Sequence, residues 1–134
     1  MEKQLFDLTG VNILVAEDDP ISMIIVSKML DIKNASVFEA ENGDEAIELL
    51  NETPDVNVVL LDLEMPKMNG YVAVKKIKEQ YPSLPVLAIT ANLIDKKMET
   101  SLFENGFNDA ISKPFKPEVF YSKILNALNR SLPN

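Results

Sequence analysis

Three short runs, Ile13-Leu14-Val15-Ala16, Val58-Val59-Leu60-Leu61 and Val86-Leu87-Ala88-Ile89, are apolar at every position. A strand with one face in water alternates apolar and polar residues. Unbroken runs of this length therefore belong in a sheet covered on both faces, which requires parallel strands joined by helical crossovers. Ser36 to Ala40 is a more polar edge candidate, and Ala110-Ile111 a weaker fifth strand.

Helical patterns fill the intervals. After Pro20, the spacing of Ser22, Ile25, Val26, Met29 and Leu30 predicts one inward face, with Ile21 and Ile24 left outside it. A second helix is expected from the N-cap Asn42, with Asp44 and Glu45 in its first turn, Ala46, Ile47 and Leu50 inward, and a stop before Pro54. A third follows Gly70 with Val74 and Ile77 inward. A fourth uses Ile94, Met98, Ser101 and Leu102 and ends at Asn105-Gly106. A fifth opens on Pro117 and presents Phe120, Ile124 and Leu128. Five strands alternating with five helices read as a doubly wound α/β domain with right-handed crossovers. The expected domain covers residues 10–131, with 1–9 as a flank and a loose tail.

Composition limits the chemistry available. At 134 residues and 46% apolar, the chain suits one domain with its own core. It has neither cysteine nor histidine, so thiol nucleophiles, disulfides and imidazole chemistry are excluded, leaving carboxylates, hydroxyls and amines. The 21 acidic residues against 13 basic ones give a net charge of -8, which disfavours direct DNA binding and anionic membrane surfaces. The basic stretches at 75–78 and 95–97 accordingly read as solvated helix faces. No apolar run approaches the ~20 residues of a membrane span, and Met1-Glu2-Lys3-Gln4 lacks a signal-peptide layout. The expectation is a cytoplasmic protein without membrane insertion.

Each strand candidate ends on groups that a core would reject: Glu17-Asp18-Asp19, Asp62, Thr90 and Lys113. Parallel strands bring these ends to one edge, where ligands of open α/β sheets bind. Glu17, Asp18 and Asp62 together call for a hard cation such as Mg2+, or Mn2+ in its place. One Asp oxygen could then attack phosphorus as a carboxylate nucleophile, with Lys113 and Thr90 stabilising the transferring oxygens.

Ile13-Leu14-Val15-Ala16-Glu17-Asp18, Leu61-Asp62-Leu63-Glu64-Met65-Pro66 with Asn69-Gly70, Ile89-Thr90-Ala91 and Ser112-Lys113-Pro114-Phe115 occur in order across most of the chain. In this the sequence resembles the receiver domains of two-component response regulators. The resemblance implies a flavodoxin-like sheet in order 2-1-3-4-5, Asp62 as phosphoacceptor and Glu17 and Asp18 as a metal-binding acidic pair. It further implies a Glu64 backbone carbonyl as the remaining protein ligand, Thr90 and Lys113 against the phosphoryl group, and a cis Lys113-Pro114 bond. Asp19 is left a capping or supporting role.

A receiver of this kind catalyses its own phosphorylation and dephosphorylation and is not a turnover enzyme. The donor is expected to be a histidine kinase or histidine phosphotransfer domain, docking at Ile21 and Ile24. The chain is read either as a separate receiver or as the receiver of a hybrid histidine kinase. The alternatives are an Asp-nucleophile, Mg2+-dependent phosphatase and an interaction-only receiver. The sequence departs from the family at Ala110, where receivers commonly carry Tyr or Phe. The departure suggests that the domain passes phosphoryl groups or modulates a neighbouring kinase more than it drives dimerisation.

Overall fold

The computed structural model describes residues 7–53, 55–65 and 68–128. Pro54, Pro66 and the expected tail after Ser131 lie outside them, as do residues 1–6 of the expected flank. The elements run β1 (Asn12–Ala16), α1 (Pro20–Ile32), β2 (Ser36–Ala40), α2 (Gly43–Glu52), β3 (Val58–Asp62), α3 (Gly70–Gln80), β4 (Val86–Thr90), α4 (Lys96–Glu104), β5 (Asp109–Ser112) and α5 (Pro117–Ala127). All strand pairs are parallel, in the order β2-β1-β3-β4-β5.

The unbroken apolar runs divide by alternation between two cores. Leu14, Ala16, Val59, Leu61, Val86 and Ala88 pack with Ala46, Leu50, Val74, Ile77 and Leu102 from α2, α3 and α4. Their neighbours Ile13, Val15, Val58, Leu60, Leu87 and Ile89 pack on the opposite face with Met23, Val26, Leu30, Phe120 and Ile124 from α1 and α5. Both sets of side chains are needed, and so neither face of β1, β3 or β4 can be polar. Leu8 falls in the stretch expected to be a loose flank. It is nevertheless buried, and its amide donates to the Lys33 carbonyl at 2.7 Å.

Helix ends follow local side-chain chemistry. Asp19, Asn42, Asn69 and Asp95 cap α1 to α4 by accepting the amides of Ser22, Glu45, Val72 and Met98. Helix α4 stops as expected at Gly106, whose φ of 109° lets the Phe107 amide reach back to the Leu102 carbonyl. Two helix readings are corrected. Ile94 precedes α4, because Asp95 caps the helix there. On α1 the inward face is Met23, Val26 and Leu30, while Ile25 is 46% exposed. The Asp19 cap and Pro20 set the helix phase so that Met23 faces the sheet and Ile25 joins Ile21 and Ile24 outside.

Candidate functional site

The carboxyl edge of the sheet collects the polar strand ends. Glu17 follows β1 directly, Asp62 and Thr90 are the last residues of β3 and β4, and Lys113 follows β5. Backbone hydrogen bonds fix their mutual register: the Glu17 amide donates to the Ala40 carbonyl at 3.0 Å, Leu63 to Ile89 at 3.1 Å, and Lys113 to Thr90 at 2.8 Å. These side chains therefore sit on a rigid frame.

Glu17, Asp62 and Thr90 are buried, while Asp18 is exposed at the mouth. One carboxylate oxygen from each of Glu17, Asp18 and Asp62 lies within 4.8 Å of the other two. The Lys113 Nζ is 2.9 Å from Glu17 Oε1. That oxygen is buried and, among the described residues, takes no hydrogen bond and is compensated by the ion pair. Burial, followed by the proximity of Glu17, pushes the Asp62 carboxyl up to about 7, against the opposing pull of the Glu64 amide and Lys113. Like charges ~4–5 Å apart repel by ~3–4 kcal/mol even at an effective dielectric near 20. Among the described residues one lysine faces these three carboxylates and does not neutralise them.

The sequence-expected set is thus brought together, with differences of detail. Lys113 is held by Glu17 and by Ser22 Oγ at 3.2 Å, not by Asp62. Ser22, read from spacing as part of the inward helix face, is therefore a site residue. The signal available was a hydroxyl three residues after the capping Asp19. Asp19 does cap α1; the Ser22 hydroxyl and then its amide hold the Asp19 carboxyl below its ordinary range. Glu64 contributes its amide, which donates to Asp62 Oδ1 at 3.0 Å and orients the carboxylate. Thr90 Oγ1 accepts the Asn92 amide at 3.0 Å, which leaves the hydroxyl proton to donate. The Lys113-Pro114 bond is cis.

Gly70 supports the same loop. A Cβ there would stand 2.7 Å from the Asp62 carbonyl oxygen and 2.8 Å from Leu63 Cα, both backbone atoms. Gly70→Ala must move the Asp62–Glu64 turn or α3, and we expect a loss of ~2–3 kcal/mol in denaturant unfolding. An unchanged midpoint would show that the turn has slack.

Ile21 and Ile24 are 68% and 65% exposed on the first turns of α1, beside the acidic mouth. Ala110 is buried, and with Leu102, Phe103 and Phe107 it lines a groove of about 390 Å³ between α4 and β5. Among the described residues no helix is long and apolar enough to cross a membrane.

Comparison with known proteins agrees with this fold. The family model described as the response regulator receiver domain matches residues 13–125. A chemotaxis protein CheY homolog of Campylobacter jejuni is 35% identical over 119 residues, covering 86% of this chain and 91% of that protein. A cyclic di-GMP phosphodiesterase of Thermotoga maritima is 36% identical over 118 residues, or 88% of this chain, which spans only 31% of that protein's length. Among solved structures, a response regulator from Chloroflexus aurantiacus superposes with a TM-score of 0.82 at 26% identity, covering 90% of this chain and 98% of that one.

Proposed function

The chain belongs to the response-regulator receiver domains of two-component signalling, and from that premise we propose that Asp62 accepts a phosphoryl group from a phosphohistidine donor beside a bound Mg2+. The crowding of the Glu17, Asp18 and Asp62 oxygens within 4.8 Å carries this reading. The buried Glu17 Oε1, which takes no hydrogen bond among the described residues, and the raised Asp62 carboxyl both fit a site that completes its charge balance with a hard cation. Glu17, Asp18, Asp62 and the Glu64 carbonyl would hold it. When bound, such an ion neutralises carboxylate charge and polarises the phosphoryl oxygens.

The residues of the chain do the rest. The Glu64 amide fixes one Asp62 oxygen and so orients the carboxylate that attacks. An O–P bond forms at Asp62 as the donor's P–N bond breaks, and the electron pair stays on the imidazole nitrogen. The Thr90 hydroxyl, and the Lys113 ammonium once it swings from its present partners, supply donors to the oxygens of the transferred group. Incubation with acetyl phosphate and Mg2+ followed by mass spectrometry tests this reading: one base-labile adduct on Asp62 is expected. Sustained turnover of the donor would indicate a phosphatase, and an unmodified chain an interaction-only domain.

The histidine-bearing donor docks on the exposed Ile21, Ile24 and Ile25, next to the mouth. Ile24→Arg should slow transfer from the cognate donor by tenfold or more while leaving labelling by acetyl phosphate intact, because only the protein donor needs the helix. Equal transfer rates would remove α1 as the docking element. The net charge of -8 argues against direct DNA contact, and the place of action is the cytoplasm.

A further inference from the structure

Lys113 does not touch Asp62 by any hydrogen bond among the described residues. Its ammonium is committed elsewhere, to Glu17 Oε1 at 2.9 Å and to Ser22 Oγ at 3.2 Å. The second contact is built. A hydroxyl has one proton, and that of Ser22 goes to Asp19 Oδ2 at 2.9 Å, so what Ser22 presents to Lys113 is a lone pair. Asp19 Oδ2 also accepts the Ser22 amide at 3.1 Å, so the α1 cap fixes the residue as well as its hydroxyl. The chain Asp19–Ser22–Lys113 spans 91 residues between its last two members and joins the first turn of α1 to the end of β5.

We propose that Ser22 is a positioning residue which holds the Lys113 ammonium against Glu17 in the unphosphorylated domain and competes with the phosphoryl group for it. The inference rests on the reading of Asp62 as phosphoacceptor. An ammonium has three N–H bonds on one flexible stem. To meet oxygens on a modified Asp62 it must give up the geometry set by Ser22, and whatever that contact contributes is subtracted from the stability of the phosphorylated state. Ser22 thereby tunes how readily the domain switches without touching the transferred group.

Beryllofluoride with Mg2+ serves as the phosphoryl probe, its binding followed by fluorine NMR. Ser22→Ala keeps the backbone cap to Asp19 and removes only the hydroxyl. It should bind beryllofluoride roughly five- to tenfold more tightly, the weight of a hydrogen bond to a charged group in a partly exposed site. Ser22→Val should behave like Ser22→Ala, and Ser22→Thr, which restores the hydroxyl, should return the affinity to the wild-type value.

A second readout is independent of the metal. In the cation-free protein the Lys113 ammonium protons, observed by isotope-edited NMR, should exchange faster in Ser22→Ala and Ser22→Val than in wild type or Ser22→Thr. A Ser22→Ala protein with unchanged or weaker beryllofluoride affinity overturns the inference and leaves Asp62 in its role. Wild-type protein that binds no beryllofluoride, or binding that survives Asp62→Asn, overturns the phosphoacceptor reading itself.

Discussion

Asp62→Asn is expected to abolish acyl phosphate formation from acetyl phosphate and, in the same protein without Mg2+, to raise stability at neutral and alkaline pH. The two effects share one cause. Asp62 is 6% exposed, within 4.8 Å of two other carboxylates, and its carboxyl is pushed up to about 7 by burial and by Glu17. An unfolded Asp titrates near 3.8, so between that value and about 7 the folded state holds a proton that the unfolded state has released. Stability contributed at Asp62 is therefore largest below pH ~4, falls as pH rises, and levels off above pH ~7.

The full shift would correspond to a ceiling of ~4 kcal/mol, and access of water through the mouth reduces the expected gain in Asp62→Asn at pH 8 to ~1–3 kcal/mol. The gain should fade on going from pH 8 to pH 4, and Mg2+ should stabilise the wild type but not the variant. Denaturant unfolding across pH, with and without Mg2+, checks this. A wild type no less stable than Asp62→Asn at pH 8 without metal would mean that the three carboxylates do not strain the fold. On the proposed reading the site trades stability for a nucleophile in this way, a compromise common to functional sites.

The fold and the gathering of these residues at one edge were legible for a shared reason. The residues that end β1, β3, β4 and β5 are polar because they leave the core, and a parallel sheet leaves them no other place to gather. Resolution was lost where a pattern offered more than one solution. Helix α1 carries Ile21, Ile24, Ile25 and Ile32 exposed as well as Met23, Val26 and Leu30 buried, so apolar spacing alone supports several faces. The phase was set by Asp19 and Pro20, which act on the backbone and leave no trace in hydropathy. Ile94 fits the helical spacing yet lies outside α4 for the same reason, since the cap at Asp95 outranks the apolar period.

The burial of Leu8 leaves no sequence signal, because a single apolar residue has no periodicity and its amide is held by the Lys33 carbonyl at the far end of α1. In the site, residue types were readable and pairings were not. Lys113 has Asp62, Glu17 and Asp18 as conceivable partners, and only the three-dimensional arrangement chooses Glu17 and adds Ser22.

That choice gives Lys113 a structural weight that can be measured. The Glu17 side chain is 0% exposed and that of Lys113 22%, so removing the amine leaves a fully buried carboxylate facing Asp62 with no compensating charge among the described residues. Breaking a buried pair from one side costs ~3–5 kcal/mol, and the partial exposure of Lys113 places the expected loss for Lys113→Ala at ~2–3 kcal/mol, or about 8–12 °C in melting temperature without metal.

Two further measurements separate charge from packing. Glu17→Gln removes the charge that needs the partner, so Lys113→Ala in that background should cost under ~1 kcal/mol, a coupling of ~1–2 kcal/mol in the double-mutant cycle. Mg2+ should recover part of the loss in Lys113→Ala, because a cation held by Glu17, Asp18 and Asp62 compensates the same oxygens. Loss of the long aliphatic stem alone would instead lower both backgrounds equally and respond to no ion. Equal melting temperatures for wild type and Lys113→Ala in the metal-free state would show that the Lys113–Glu17 pair adds no net stability, and the electrostatic account of the site would have to be rebuilt from that fact.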